Sequence, residues 1–98
     1  MSFNQKVCKL LLKIPKGKVS TYKDIAEKLN SKAYRAVGNA LNKNKHPESY
    51  PCYKIINSNG KLGGYSKGLK LKIKKLKKDG IKIKNNKVNL NKYLYKFK

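Results

Sequence analysis

The sequence predicts a mainly α-helical, winged-helix-like helix-turn-helix domain with a short C-terminal β-hairpin. Three observations support this fold class. Apolar residues recur at helical spacing over the first 14 positions, two short helical segments follow on either side of Asn30-Ser31, and two apolar runs near the end flank Asn85-Asn86. Helical spacing indicates helices that pack one face on a core. A length of 98 residues suits a single small domain, 1–98.

The first predicted helix covers residues 3–13. Its apolar positions share one face, and they are Phe3, Val7, Leu10, Leu11 and Ile14. Pro15 stops the helix because proline lacks a backbone N–H and clashes with the preceding turn. Cys8 flanks the apolar stripe, so we interpret it as a small core residue without a chemical role.

Two short helices after a turn at 15–18 form the predicted helix-turn-helix. Thr21 is placed to cap the first of them, with Asp24 three residues later, as in a capping box. Asn30 breaks this helix, and Ser31 is expected to cap the next one, which extends to about Leu41. In this motif the second helix contacts DNA.

That second helix has an unusual number of small residues, at Ala33, Ala36, Gly38 and Ala40. A glycine inside a helix costs about 1 kcal/mol relative to alanine, so something is expected to approach this helix closely. The approaching group is either a packed neighbouring helix, which is the commoner reason, or a nucleic-acid backbone. In the second case, Ala36 and Gly38 are DNA-contacting residues.

The C-terminal part predicts one more helix and a hairpin. Residues 68–79 fit a helix that Gly80 ends. The Asn85-Asn86 pair suits a two-residue turn, which pairs Ile83 with Val88 and, one step further on the same face, Ile81 with Leu90. The hairpin and tail then occupy 81–98.

The charge of the chain indicates a polyanionic partner. Lysine and arginine number 26 against four acidic residues, a formal net charge of +22. Bound phosphates relieve the self-repulsion of such a chain and release counterions, so DNA or RNA is the leading partner. The alternative is an organism whose whole proteome is rich in Lys, Asn and Ile.

Several classes of protein are excluded by what is scarce. Two cysteines and one histidine, His46, are too few for a disulfide scaffold or a four-ligand zinc site, so no metal or other cofactor is expected. No stretch resembles a signal peptide or a membrane span. We therefore expect a monomeric, cytoplasmic protein with reduced thiols.

Cys52 and Arg35 are the candidate functional residues that composition points out. Cys52 lies in a short apolar-flanked segment of a very basic domain, and nearby positive charge favours the nucleophilic thiolate. Arg35 is the only arginine in the chain. Lysine cannot replace a guanidinium where the group must stack or form forked hydrogen bonds, so Arg35 is a candidate for insertion into DNA.

These residues belong to a longer pattern. Over residues 3–81 the chain resembles the DNA-binding, active-site domain of the O6-alkylguanine-DNA alkyltransferases, in the order and spacing of that family. The matching segments are Ile14-Pro15-Lys16-Gly17-Lys18-Val19-Ser20-Thr21-Tyr22, Ile25-Ala26, Arg35-Ala36-Val37-Gly38, Asn44, Pro51-Cys52, Gly60-Lys61-Leu62-Gly63-Gly64-Tyr65-Ser66 and Leu76-Lys77-Lys78-Asp79-Gly80.

The resemblance implies irreversible transfer of an alkyl group from O6-alkylguanine in duplex DNA to Cys52, after the nucleotide is flipped out of the stack. Asn44 would fix the turn that precedes the cysteine. The helix carrying Arg35 would lie in the minor groove, with its guanidinium filling the gap. Such a side chain offsets an unstacking cost of a few kcal/mol.

The resemblance also implies a set of residues that receive the flipped nucleotide. Tyr22 would help to rotate it and contact the purine. Tyr65 would wall the pocket, and Ser66 and the backbone around Ile55 would hold the guanine edge.

The chain departs from the family pattern beside the cysteine. Members of the family usually have histidine directly after the cysteine, relaying a proton toward a glutamate; here these positions are Tyr53 and Asp79. A phenol with a pKa near 10 is no neutral-pH base, but it can pass a proton along a hydrogen-bonded chain. Pairing with Lys75 is the alternative reason for Asp79, and His46 is the alternative base.

Three further points concern the whole protein. We expect the separate N-terminal domain of larger relatives to be absent, so that either this domain suffices or the chain is truncated or partner-dependent. The function could also be lesion recognition without transfer, as in alkyltransferase-like proteins, although these lack the acceptor cysteine. A basic RNA- or ribosome-associated protein would explain the charge but none of the spacing.

Overall fold

The computed structural model describes residues 2–32, 34–42, 50–63, 65 and 68–97. It confirms the mainly helical fold class. In chain order the elements are α1 (Phe3–Leu11), β1 (Ser20–Thr21), α2 (Tyr22–Lys28), α3 (Tyr34–Asn42), a 3-10 helix (Cys52–Lys54), β2 (Ile55–Ile56), α4 (Leu69–Lys78), β3 (Ile83–Lys84), β4 (Lys87–Val88) and α5 (Leu90–Tyr93). Within these described ranges, no helix has the length and apolar character needed to cross a membrane.

Helix α1 begins at a capping box. The Ser2 hydroxyl accepts the N–H of Gln5, and the Gln5 side chain accepts the N–H of Ser2. The helix ends at Leu11, two residues earlier than predicted, because the next N–H groups bond carbonyls three residues back: Lys13 donates to Leu10, and Ile14 to Leu11. Such bonds tighten the final turn before Pro15.

Helices α2 and α3 form the predicted helix-turn-helix. The Thr21 hydroxyl accepts the N–H of Asp24 at 3.1 Å, which confirms the predicted cap of α2. At the other end Asn30 has a φ of +55°, and the N–H of Ser31 donates to the carbonyl of Ala26. These are the features of a Schellman motif.

The predicted cap of the next helix by Ser31 stays a prediction. The described part of α3 begins at Tyr34. The backbone N–H of Ser31 closes the end of α2. Ala33, which precedes α3, lies outside the described residues.

Two very short parallel strands were not predicted. Ser20 pairs with Ile55 and Thr21 with Ile56, so β1 and β2 place the start of α2 beside the segment that follows Cys52. Two residues are too few to show the alternation that identifies a strand.

The C-terminal segment extends this small sheet. Val19, directly before β1, donates its N–H to the carbonyl of Tyr93 at 2.9 Å and accepts the N–H of Tyr95 at 2.8 Å. The backbone that leads into α2 is therefore held by residues from distant parts of the sequence: Val19 by the C-terminal segment, and Ser20 and Thr21 by β2.

The predicted C-terminal helix and hairpin are both present, with one error. Helix α4 matches 68–79 closely, and Gly80 follows it with a φ of +89°. Ile83 pairs with Val88 across Asn85-Asn86, which both have positive φ values, as a type I′ turn requires. The predicted pairing of Ile81 with Leu90 is wrong, because Leu90 begins α5, which Asn89 caps.

Buried side chains form two groups that meet at the 3-10 helix. The first group includes Val7, Ile25, Val37, Ile55 and Cys52. The second group includes Val19, Ile56, Leu76, Ile81 and Tyr93. Tyr53 packs against the second group, so successive residues of the 3-10 helix face different parts of the core.

Candidate functional site

The candidate nucleophile is held at the start of the 3-10 helix. Cys52 is only 6% exposed, and its N–H donates to the carbonyl of Tyr50 at 2.8 Å. Strand β2 follows the 3-10 helix directly and is fixed by its pairing with β1. The thiol is thus buried at a rigid position, and a large substrate can react there only by inserting the reacting group.

Tyr53, the residue that follows Cys52, forms a short hydrogen bond with Asp79. The Tyr53 hydroxyl donates to Asp79 Oδ2 at 2.6 Å. Asp79 is the C-cap of α4, a position where the helix dipole disfavours a carboxylate, so the hydroxyl supplies a compensating contact. Burial, followed by this bond and the Asp79 charge, raises the pKa of Tyr53. The phenol therefore stays protonated at neutral pH.

Lys54 and Lys72 are buried, so these two lysines do not belong to the basic surface that the net charge predicts for nucleic-acid binding. Lys54 is 7% exposed, and its ammonium donates to the carbonyl of Ile14 at 2.9 Å. Burial lowers its pKa, while Asp79 opposes that shift. The hydrogen bond of Lys54 ties the 3-10 helix to Ile14, in the turn that follows α1.

Lys72 is fully buried on the inner face of α4. Its ammonium donates to the carbonyls of Ile55 at 2.7 Å and Leu62 at 2.5 Å. The sequence analysis did not identify it, although a signal exists: position 72 lies three residues after Leu69 and four before Leu76, on the apolar face. A lysine at a core-facing helical position needs such partners, because an unpaired buried charge is very costly.

Two of the residues predicted to contact DNA, Tyr22 and Arg35, line an open cleft of about 420 Å³. Arg35 is exposed near the start of α3, and Tyr22 is half-buried at the start of α2. The lining of the cleft comprises Tyr22, Lys23, Tyr34, Arg35, Asn57, Ser58 and Asn59. The turn at 57–59 was not identified from the sequence, since its polar residues resemble any loop.

Tyr22 connects this cleft to the buried thiol. It packs against the core group that contains Cys52. Burial, together with the charge of a Cys52 thiolate, raises the pKa of Tyr22. Tyr22 thus lines the cleft that Arg35 also lines, and it packs against the core group that contains Cys52.

The small residues of α3 have different explanations. Ala40 is buried in the core, where a small side chain lets α3 pack. At Gly38, however, a Cβ atom would meet no heavy atom of the described residues within 4 Å, so packing against a described neighbour does not account for this glycine. The alternative explanation, close approach of another molecule, stays a prediction for Gly38 and for half-buried Ala36 on the same helix.

The remaining predicted residues are only partly described. Tyr65 is half-buried against the Cys52 core group, and Ile55 is buried on β2. Asn44, His46 and Ser66 lie outside the described residues. Cys8 is half-buried, and burial followed by the nearby Cys52 raises its pKa, as is expected of an unreactive thiol packed beside the site.

The fold defines a helix-turn-helix DNA-binding domain, and this domain carries a buried thiol in its core. The chain belongs to the 6-O-methylguanine DNA methyltransferase family, a family of DNA-repair alkyltransferases. The family model of the DNA binding domain matches residues 2–81. The family resemblance in the sequence is thereby confirmed.

Known relatives include proteins of different architecture. The bifunctional methyltransferase/endonuclease of Picrophilus torridus is 48% identical over 87 residues, covering 88% of this chain and 29% of the relative. The methylated-DNA–protein-cysteine methyltransferase of Saccharolobus solfataricus is 49% identical over 81 residues, covering 83% of this chain and 52% of the relative. The chain thus spans about half, or less, of the curated relatives it matches.

A solved structure matches over almost the whole chain. S. pombe Atl1, in complex with damaged DNA containing O6-carboxymethylguanine, superposes with a TM-score of 0.85 at 35% identity, covering 97% of this chain and 95% of Atl1. The match confirms the fold and extends beyond residue 81 to the C-terminal segment. It also supports DNA as the partner.

Proposed function

We propose that this protein repairs O6-alkylguanine in duplex DNA by a single, irreversible transfer of the alkyl group to Cys52. The observation that carries this proposal is the burial of Cys52 in the core group against which Tyr22 packs, within a fold of the DNA-repair alkyltransferase family. We infer that Cys52 acts as the nucleophile.

In the proposed reaction, the Cys52 sulfur attacks the alkyl carbon attached to guanine O6. The new S–C bond forms as the C–O bond breaks. The thiol loses one proton and the restored guanine gains one, at N1, so the reaction balances without a cofactor. Because the resulting thioether cannot lose its alkyl group readily, each molecule acts once.

The burial of Cys52 means that the alkylated base has to leave the duplex to reach it. Chemistry on a base requires extrusion, which costs a few kcal/mol of stacking. The exposed Arg35 at the start of α3 is positioned to enter the vacated space, and Tyr22 to contact the base on its way to the thiol. We propose that α3 lies in the minor groove, so that Gly38 and Ala36 allow a close approach of the DNA backbone.

Tyr53 and Asp79 are proposed as the proton path. The Tyr53 hydroxyl already donates to Asp79, so its lone pair remains to accept a proton from the thiol directly or through water. As the phenol accepts this proton, it passes its own to the carboxylate, which later releases it to solvent, while the departing guanine takes its N1 proton from solvent. This path needs no imidazole, and its efficiency depends on geometry because the pKa of the phenol is far from neutrality.

The test is the intact mass of the protein after incubation with duplex DNA containing O6-methylguanine. One methyl group should be added per molecule, and peptide mapping should place it on Cys52. Cys52→Ser should bind the lesion DNA and gain no mass, whereas the control Cys8→Ser should gain one methyl. Methyl on another residue, or repeated turnover, contradicts the proposal.

Lesion recognition without transfer is the second candidate. Its support is the near full-length match to Atl1, whose solved complex contains O6-carboxymethylguanine DNA. The mass measurement separates the two functions. High affinity for lesion DNA with no added mass on Cys52 would establish recognition alone.

A further inference from the structure

A buried cation joins the two segments on which the proposed chemistry depends. Lys72 is completely buried, and its Nζ lies 2.7 Å from the carbonyl oxygen of Ile55 and 2.5 Å from that of Leu62. Ile55 follows the 3-10 helix that carries Cys52. Leu62 lies three residues before Tyr65, the proposed wall of the pocket. One ammonium therefore cross-links the nucleophile segment and the pocket segment.

The hydrogen bonds of Lys72 add to the short backbone pairings of these two segments. Strand β2 consists of two residues. The N–H of Leu62 is bonded to the carbonyl of Asn86, which fixes one side of that residue and leaves its carbonyl to Lys72. A charge-assisted hydrogen bond is roughly twice as strong as a neutral one, so the protonated amine holds both carbonyls more firmly than a neutral amine.

The same ammonium is close enough to interact electrostatically with Cys52. The attraction between them opposes the effect of burial on Lys72. Such coupling is reciprocal: a cation that is stabilised by a thiolate stabilises that thiolate equally. Since Lys54 donates to Ile14 on another side of the 3-10 helix, Lys72 is the better-placed of these two buried lysines to act on the thiolate.

We propose that Lys72, in its ammonium form, is a positioning residue for alkyl transfer that aligns Ile55 and Leu62 and offsets the charge of the Cys52 thiolate. The inference rests on the proposed function, because it assigns Lys72 a part in the same reaction. The amine does not contact the reacting carbon; it acts through the backbone and through the thiolate.

This role makes activity depend on the protonation of Lys72. Burial lowers the pKa of Lys72 to about 8, against the opposing effect of Cys52. The other described groups around the site are Tyr22 and Tyr53, whose pKa values are raised, Lys54, whose pKa is lowered by burial, and Asp79, which faces Tyr53 and Lys54. Loss of the Lys54 proton would weaken its bond to Ile14 but not the two bonds of Lys72, so a variant at position 72 separates the two lysines. The rate should fall above about pH 8, as the Lys72 ammonium loses its proton.

The experiment measures single-turnover transfer from the free base O6-benzylguanine between pH 6.5 and 9.5, so that DNA binding does not contribute. The parent should show a falling limb above about pH 8. Lys72→Met should lower the rate at pH 7.5 by about 10- to 100-fold, below the loss of about 10²–10³ seen for a donor that contacts reacting atoms. It should also abolish the falling limb. Lys74→Met, which removes an exposed lysine of the same helix, is the matched control and should follow the parent.

Lys72→Arg keeps a charge that cannot titrate in this range, so its rate should show no fall above pH 8, whatever its absolute value. This variant provides the answer if Lys72→Met does not fold. A parent profile without a falling limb overturns the proposal, as does a Lys72→Met rate equal to that of the parent.

A second readout keeps this inference separate from the proposed function. Iodoacetamide alkylates Cys52 without any nucleobase, and in a Cys8→Ser background it reports on Cys52 alone. If the parent transfers no alkyl group from any guanine, the proposed function fails. The role of Lys72 in stabilising the thiolate is then supported if adding Lys72→Met slows this alkylation at pH 7.5, and overturned if it does not.

Discussion

Gly38 and Gly80 allow the same substitution to be compared at two sites that have the same open space but a different backbone. A Cβ atom at either glycine would meet no heavy atom of the residues that the structure describes within 4 Å. Gly38 lies inside helix α3, whereas Gly80 has a φ of +89°. The effect of alanine on stability should therefore have opposite signs, because only the backbone conformation differs.

Gly38→Ala should stabilise the fold. Alanine is more favourable than glycine by about 0.8–1.0 kcal/mol inside a helix, and no neighbour has to move to admit the methyl group. For a domain of this size, 1 kcal/mol corresponds to a rise in Tm of about 4–8 °C. Gly80→Ala should lose about 1–2 kcal/mol, because a side chain at this φ crowds the following carbonyl. Urea unfolding and thermal melts measure both changes.

The stabilised Gly38→Ala protein should nevertheless be worse at repair. If the open space at Gly38 receives the DNA backbone, an added methyl overpacks that contact, and overpacking typically costs about 1–3 kcal/mol. Affinity for lesion duplex should then fall about 5- to 100-fold, while the rate with free O6-benzylguanine stays unchanged. A Gly38→Ala protein that binds duplex DNA as tightly as the parent would refute the close approach. A protein that is less stable than the parent would refute the account of the open space.

Three further predictions concern the cleft, the proton path and the buried cation. Arg35→Ala should slow repair in duplex DNA far more than reaction with the free base, and equal losses in single-turnover assays would mean that Arg35 supports the fold. Tyr53→Phe should keep fold and DNA affinity but slow transfer by about 10²-fold or less, whereas Tyr53→His should preserve or raise the rate; an unchanged Tyr53→Phe rate would reduce the phenol to packing. Lys72 should make unfolding depend on pH. Its pKa is 10.5 in the unfolded chain and about 8 in the fold, so the unfolded state binds the extra proton and stability rises between these values. The free energy of unfolding of the parent, relative to that of Lys72→Met, should rise by about 3 kcal/mol as the pH rises through that window. A pH-independent difference between the two proteins in urea unfolding would contradict the shift.

The helices were predictable because they follow from local chemistry. Apolar spacing and a capping threonine specify α1 and α2, and the paired asparagines at 85 and 86 specify the hairpin turn. Strands β1 and β2 and helix α5 could not be predicted, since they depend on partners far away in the sequence and contain too few residues to show a period. The Ile81–Leu90 pairing failed because Asn89 caps a helix there.

The candidate site was partly predictable. The family pattern named Cys52, Tyr53 and Asp79, and the structure adds that the phenol and carboxylate are in contact. Lys72 was not identified because a lysine in so basic a chain is expected in solvent. Its position among apolar residues on one helical face was the available signal. The roles of these residues stay predictions until transfer is measured.

The backbone contact between the two ends of the domain also has a consequence for how the protein is made. Val19 has its hydrogen-bond partners at Tyr93 and Tyr95, and the Lys18 ammonium bonds the carbonyl of Lys92, 74 positions later. Contacts between such distant segments form slowly, because the intervening chain must be ordered first. A chain in which residues 92–95 have not yet been synthesised cannot complete them. The turn that leads into α2 is therefore expected to become ordered only after those residues have been made.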